Sequence, residues 1–379
     1  MKKTVAVFFG GQSTEHDISI ITALSSVVKP LELSKKYSVV PVYITKQGKW
    51  LTGANLKDIK TYQSAKIDEL IKKSKPVQVS FDDGFAINKQ KIDVAFPAMH
   101  GSYGEDGSLM GLLRMANIPF VGSDMDASVI AMDKVLAKQV AQANEIPTSK
   151  FMFISRNEFA ADPKARTKKI AKALEYPLFV KPAHLGSSIG ITRVTNIDEL
   201  YNAIEVAAFY DEKIIVEEAV NNLIEVTVPI IGNDEPRVAL VERPLSQDGE
   251  FFDFETKYIR GGGKKSGGKG TAGAQGYSEL PAKLPGKLYE QSVAIALDVY
   301  KAIGLGGIAR VDLLIDEKAK KVYFNEVNPL PGSLYAHNWR AAGVPTVQLV
   351  DDLVAYAEER FATRNALQTT FDSSFLRQF

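Results

Sequence analysis

The 379-residue sequence contains no cysteine. Disulfides, thiolate metal sites and a cysteine nucleophile are thereby excluded, and a cytoplasmic setting fits that absence. Histidine is scarce, at four residues, so a His-rich metal centre is not expected. An excess of charge is missing too. Lys+Arg number 46 and Asp+Glu 45, a formal net charge of +1, which carries no signature of nucleic acid or a membrane surface. No hydrophobic run approaches the length of a membrane helix. The apolar stretch Thr4–Phe9 after Lys2-Lys3 is too short for a signal peptide and meets Gly10-Gly11-Gln12 at once; it reads as a buried first strand.

What is present is ordinary for a soluble globular chain: 45% hydrophobic and 24% charged residues. The length suits two or three domains. Residues 4–9 read as a strand, 10–16 as a glycine turn and Asp17–Val28 as a helix, with Ile18, Ile21, Leu24 and Val28 at helical spacing. Ser38–Thr45 and Ile92–Pro97 read as strands, so the first unit is an open, mostly parallel α/β sheet. Ligands bind beyond the carboxyl ends of such strands, where Gly10-Gly11 and His100-Gly101 lie. From Gly122 a second unit carries a helix over Ala127–Ala143, strands over 149–154, 178–181 and 189–194, a helix over 164–175, and one over Asp198–Ala208 with Asn196 as N-cap. A third unit opens near Lys213 with strand 213–218. It adds the strand Glu225–Ile231 and helices over Leu288–Ile303 and Thr346–Phe361. The domains are placed at 1–121, 122–211 and 212–379. There is no internal repeat. Gly261–Gly276, rich in Gly, Lys and Ser, reads as a coil-like loop of the kind that forms lids.

The chemistry is concentrated near the end. Gly307-Ile308-Ala309-Arg310-Val311-Asp312 and Asn325-Glu326-Val327-Asn328 are both β-prone, with the polar turn 316–321 between them. Strand residues two apart share a face, so Arg310 pairs with Asp312 and Glu326 with Asn328. That hairpin carries three oxygen ligands and one arginine, donors of the type a hard cation such as Mg²⁺ takes beside nucleotide phosphates; a solvated polar hairpin face is the plainer alternative. Phe179-Val180-Lys181-Pro182 runs into Ala183-His184-Leu185-Gly186-Ser187-Ser188, a loop suited to wrapping phosphates, or a simple turn; it lacks the Walker pattern. Lys134 in Met132-Asp133-Lys134 lies on a helix, where a lysine is ordinarily a surface group. Ile214–Glu218 is an apolar strand ending in acids. His100–Gly107 holds three glycines among acids, which suggests close backbone approach to a ligand. Glu15 precedes a helix, where it either complements the dipole or meets a substrate.

The order GGQSTEHDIS, HGSYGEDG, MDK, FVKPAHLGSSIG, IIVEE, DFETKY, ARVD, NEVNPLPG resembles the D-alanine–D-alanine ligase family of the ATP-grasp superfamily, over about residues 4–360. The resemblance implies an α/β, three-domain ATP-grasp architecture with an N-terminal Rossmann-like open sheet and ATP between the second and third domains. It implies ATP and two Mg²⁺ ions (Mn²⁺ being an alternative), D-alanine as substrate, no nucleic-acid or membrane partner, and a homodimer, as is common in the family. One D-alanine carboxylate takes the γ-phosphate to give an acyl phosphate, which the amine of the second attacks. Carried onto this sequence, Glu15 holds the first substrate's ammonium, with Ser187 and Tyr258 orienting it. Lys134 and Lys181 contact phosphates. Glu217 or Glu218 meets adenine, and Glu225 the ribose. Asp312, Glu326 and Asn328 hold metal. Arg310 and the Gly332 amide stabilise the oxyanion, and Lys257 approaches the phosphate or the acceptor carboxylate. The lid after Tyr258 excludes water.

Three features depart from the family's pattern. Pro329 follows Asn328. Ser333-Leu334-Tyr335-Ala336-His337-Asn338-Trp339 replaces the segment that meets the acceptor carboxylate, leaving His337 or Asn338 as stand-ins or as structural residues. The lid carries Arg260, Lys264, Lys265 and Lys269, which draw anions or simply keep it soluble. In addition, Asn221–Ile224 is one residue longer than usual, which leaves the hinge acid open between Glu217 and Glu218. D-lactate or D-serine as acceptor, another ATP-grasp ligase, and a non-catalytic ATP-binding module are the competing readings. Tyr258 favours D-alanine.

Overall fold

The computed structural model describes residues 2–63, 69, 72–82, 84–186, 189–245 and 278–379. Its elements form three main sheets. In the first, the strands run in the order Lys75–Pro76, Trp50–Thr52, Tyr37–Ile44, Lys3–Gly10, Val94–Pro97. Lys3–Gly10 pairs in parallel with both Tyr37–Ile44 and Val94–Pro97, as its unbroken apolar run predicts for a strand covered on both faces. The first helical run extends further than the apolar spacing indicates. His16–Ile21, a widened π-type turn over Thr22–Val28 and Lys29–Ser34 follow one another without a break. Pro30 cannot donate to an ordinary helical ladder, and it sits just past the widened turn, in the first turn of the last segment.

The other two main sheets are antiparallel throughout. Thr192–Val194, Leu178–Pro182, Lys213–Glu218 and Phe151–Ser155 form the central sheet in that order. Lys213–Glu218, read from sequence as the start of the third unit, is thus an inner strand of the second sheet. Helices Pro163–Ala173 and Ile197–Tyr210 pack on it through Ile170, Leu200, Ile204 and Ala207. Asn196 caps the second of these, accepting from the backbone N–H of Asp198 and Glu199. Arg237–Val238, Leu223–Gly232, Gly307–Asp316 and Lys321–Asn328 form the third sheet.

Packing crosses the chain order twice. The helix expected over Ala127–Ala143 is two helices, Met125–Met132 and Lys134–Ala143, and both share the core of the third sheet with Ala296, Val299 and Phe324. The last long helix, Thr346–Asn365, returns to the first sheet, burying Leu349, Val350, Leu353 and Val354 beside Val27 and Leu31. These crossings draw the first and third sheets together around the segment where the sequence motifs converge.

Candidate functional site

The hairpin of Gly307–Asp316 and Lys321–Asn328 places its polar residues as the period-two reading requires. Arg310 stands opposite Asn328 and Asp312 opposite Glu326, with a bulge just after Asp312. The Arg310 guanidinium grips Asp312 with two donors, Nε to Oδ1 at 2.7 Å and Nη2 to Oδ2 at 2.6 Å. The Asn328 amide donates to the same Oδ2 at 3.2 Å. Such a fork fixes the plane of both groups.

Two lysines reach this face from different elements. Asp133 breaks the predicted helix: its backbone leaves helical space, and its Oδ1 accepts from the N–H of Val135 and Leu136 at 2.9 and 3.1 Å, capping a new helix. Lys134 therefore sits in a first turn rather than on a solvated face. Its Nζ lies 3.3 Å from Glu326 Oε2 and donates to the Leu185 carbonyl at 2.7 Å. Lys181, at the end of Leu178–Pro182, is 2.5 Å from Glu217 Oε2 and 3.4 Å from Asn325 Oδ1. Lys138, one turn beyond Lys134 and fully buried, meets Glu217 Oε1 at 2.8 Å. Burial works against the Glu217 charge, but Lys138 and Lys181 outweigh it and hold the carboxyl at about 2. For Lys181 burial likewise opposes the charge, and Glu217, Glu326 and Glu225 overcome it and raise its pKa. Burial prevails at Lys138, whose pKa is lowered. Lys138 was not singled out by sequence; a lysine one helical turn after Lys134 was the available signal.

Glu217 and Glu218 alternate across their strand. Glu217 faces the lysines, whereas Glu218 meets Lys150 at 3.4 Å and accepts from the Glu175 N–H at 2.9 Å. Glu225 stands on Leu223–Gly232, opposite Leu314, close enough to act on Lys181.

The glycine turns converge on Glu15, which is buried. A Cβ on Gly186 would come within 3.1 Å of Glu15 Oε2, and one on Gly101 within 3.0 Å. The loop that follows Lys181 thus passes directly over Glu15. Glu105 lies alongside, accepting from the Gly101 N–H at 2.6 Å. Burial first, then the Glu15 charge, push it up to about 8. Burial lowers His100 to about 4; its Nε2 meets Thr22 Oγ1 at 2.8 Å, and that hydroxyl also accepts from the Ser333 N–H at 2.9 Å. Glu105 and His100 belong to a loop noted in sequence but were given no role.

Gly332 opens a tight turn in which Ser333, Leu334 and Tyr335 all take left-handed backbone angles, a conformation that costs non-glycine residues energy and marks a constrained segment. The turn lays the Tyr335 ring 5.3 Å from the Arg310 guanidinium, with the phenol 3.0 Å from Thr227 Oγ1. Of the two stand-ins considered for acceptor binding, Asn338 is structural. It is fully buried, accepts from the Leu240 N–H at 3.0 Å and donates to the Leu240 carbonyl at 2.9 Å. His337 Nε2 is 2.9 Å from Glu242 Oε2. Ser187, Tyr258, Lys257 and the lid over 261–276, with Arg260, lie outside the described residues.

Models of two family segments match almost end to end: the D-ala D-ala ligase N-terminus over residues 4–123 and the D-ala D-ala ligase C-terminus over 140–355. The chain belongs to the D-alanine–D-alanine ligase family. The D-alanine–D-alanine ligase of Chlorobium limicola is 38% identical over 95% of this chain and 98% of its own. That of Clostridium acetobutylicum is 36% identical over 95% and 99%. Among solved structures, the D-alanine-D-alanine ligase from Coxiella burnetii superposes with a TM-score of 0.77 at 27% identity, covering 96% of each chain. The VanG D-Ala:D-Ser ligase from Enterococcus faecalis also gives 0.77, at 31% identity over 94% of this chain and 100% of that one. The fold is therefore the ATP-grasp architecture of this ligase family. Among the described residues no helix is long and apolar enough to cross a membrane.

Proposed function

We propose that this chain joins two D-alanines into D-alanyl-D-alanine at the expense of ATP, the step that supplies the dipeptide end of a peptidoglycan precursor. The observation that carries the reading is the convergence of Lys134 and Lys181 on the Arg310–Asp312, Glu326–Asn328 face, beneath a loop that passes over buried Glu15. In this reading the two lysines bind phosphates, and Glu225 with Glu217 or Glu218 holds the nucleoside. Glu15 takes the donor's ammonium, assisted by Ser187 and Tyr258. The donor carboxylate attacks the γ-phosphorus, ADP leaves, and the acceptor amine displaces phosphate from the acyl phosphate. Arg310 and the Gly332 amide stabilise the oxyanion of that second step, and Lys257 serves the phosphate or the acceptor carboxylate. Positioning and charge stabilisation carry such chemistry without a covalent nucleophile.

The donor chemistry fits a hard divalent cation. Among the described residues no group of three or more histidine or acidic side chains is placed to hold a metal ion by itself, but Asp312 and Glu326 are cross-strand neighbours with the Asn328 amide beside them, an all-oxygen set. Two Mg²⁺, or Mn²⁺, held there would supply positive charge to the β- and γ-phosphates. The same reading includes a cytoplasmic setting, a homodimer, and three units divided near 121 and, following the central sheet, near 218.

A second reading keeps the reaction and changes the acceptor to D-serine. The similarity to a D-Ala:D-Ser ligase and the altered 333–339 segment favour it. Acceptor competition separates the two: with D-alanine as donor and D-alanine, D-serine and D-lactate offered at equal concentration, the product masses identify the acceptor. D-alanyl-D-alanine as the main product supports the first reading; a mixed dipeptide or depsipeptide overturns it.

A further inference from the structure

His184 has no part in the roles above, yet it lies at the root of the loop that follows Lys181. Its Nε2 is 3.3 Å from Asp133 Oδ2. Its Nδ1 is 3.0 and 3.1 Å from the two oxygens of Asp211, and its backbone N–H donates to Asp211 Oδ2 at 2.7 Å. Both carboxylates are buried, while the imidazole is 37% exposed. A neutral imidazole has one N–H and one lone pair, so it would turn a lone pair toward one of these anions; only the imidazolium donates to both.

The loop is tied to the Asp133 break at three consecutive residues. The Lys134 N–H donates to the Ala183 carbonyl at 3.1 Å, His184 meets Asp133, and Lys134 Nζ donates to the Leu185 carbonyl at 2.7 Å. Asp133 is also the cap of the helix that carries Lys134. Any shift of Asp133 is therefore passed to Lys134 through its own backbone.

We propose that His184 is a positioning residue which, as an imidazolium bridging Asp133 and Asp211, fixes the Ala183–Leu185 arm against the start of the Lys134 helix and so sets where Lys134 meets the nucleotide phosphates. The proposal rests on the reading that Lys134 binds ATP. The charged groups at the imidazole are Asp133, which caps the Lys134 helix, Asp211 from the end of Ile197–Tyr210, and, beyond Asp133, Lys213 from the central sheet, whose ammonium ion-pairs with Asp133. Hydrogen bonds to Asp133 and Asp211, against partial burial, raise His184 to about 9. A raised folded-state pKa means that the latch is complete below the ordinary histidine value near 6.5, holds at neutral pH and is lost as pH rises through about 9.

The test is the KM for ATP and kcat of the full chain from pH 6.5 to 10 for wild type, H184Q and H184R, together with an NMR titration of the imidazole signal that H184Q removes. A charged hydrogen bond at a partly exposed site predicts a change of roughly five- to tenfold. Wild-type KM should rise by that factor across pH 9. H184Q should show the raised KM at every pH without the step, H184R should stay at the low value, and kcat at saturating ATP should change less than KM. The signal should titrate near 9. An H184Q variant with wild-type KM at pH 7.5, a pH step retained in H184R, or an imidazole titrating near 6.5 overturns the proposal. A wild type without ATP turnover overturns the ligase reading instead, and the imidazole titration then decides the latch by itself.

Discussion

Glu217→Gln removes a carboxylate that two buried ammoniums share. Glu217 is 2% exposed and bridges Lys138 at 2.8 Å and Lys181 at 2.5 Å. A carboxyl held at about 2 instead of its ordinary 4.5 contributes about 3 kcal/mol at neutral pH. Because the folded-state pKa is depressed, that stabilisation is fully present above pH 4.5 and is lost as pH falls toward 2. E217Q should therefore lie about 3 kcal/mol below wild type at pH 7, and the gap should shrink to roughly half by pH 3. Amide hydrogen exchange across Leu178–Pro182 and Lys213–Glu218, the strands that carry Lys181 and Glu217, reads this locally. A gap that stays constant from pH 7 to 3, or is absent at pH 7, would refute the assignment of Glu217 as the charged centre of a buried triad.

Three further outcomes follow from the geometry. Asn338→Leu orphans the Leu240 N–H and C=O; it should cost about 2–4 kcal/mol in urea unfolding while leaving the acceptor KM of the folded protein unchanged, and a raised acceptor KM would restore Asn338 as a substrate contact. Arg310→Lys loses the two-pronged grip on Asp312 and should lower kcat by about 100-fold with a smaller effect on KM for ATP; a wild-type kcat contradicts the oxyanion role. Gly186→Ala places a methyl 3.1 Å from Glu15 Oε2, so steady-state kinetics should show the donor D-alanine KM rising about three- to tenfold with the ATP KM unmoved.

Residues with a strong local pattern were legible in the sequence. The period-two alternation alone puts Arg310, Asp312, Glu326 and Asn328 on one face, and Leu288–Ile303 has the limits its spacing predicts. Long-range choices were not. Asp133 reads as one more polar residue inside a helix of good formers, because its capping role depends on the backbone turning toward Ala183 and on Lys213 and His184 arriving from elsewhere. Lys213–Glu218 follows the helix Ile197–Tyr210 closely enough to belong to either unit, and only its pairing with Leu178–Pro182 and Phe151–Ser155 assigns it to the central sheet. The glycines of His100–Gly107 indicate a loop that approaches a ligand but assign no role to Glu105 or His100; the burial and opposed pKa shifts of these two arise from Glu15, Thr22 and the turn after Gly332 packing over them. Asn338 could not be told from a substrate ligand until Leu240 was seen to occupy both ends of its amide.

In the proposed reaction a D-alanine carboxylate accepts the γ-phosphoryl group before the peptide bond forms. That step is tested most directly by turnover of ATP with D-alanine carrying ¹⁸O in its carboxylate, followed by mass analysis of the released phosphate. Transfer of one labelled oxygen into each phosphate, alongside D-alanyl-D-alanine, is the predicted result. Unlabelled phosphate accompanying dipeptide formation would contradict the acyl-phosphate route and the roles built on it for Arg310, Lys134 and Lys181.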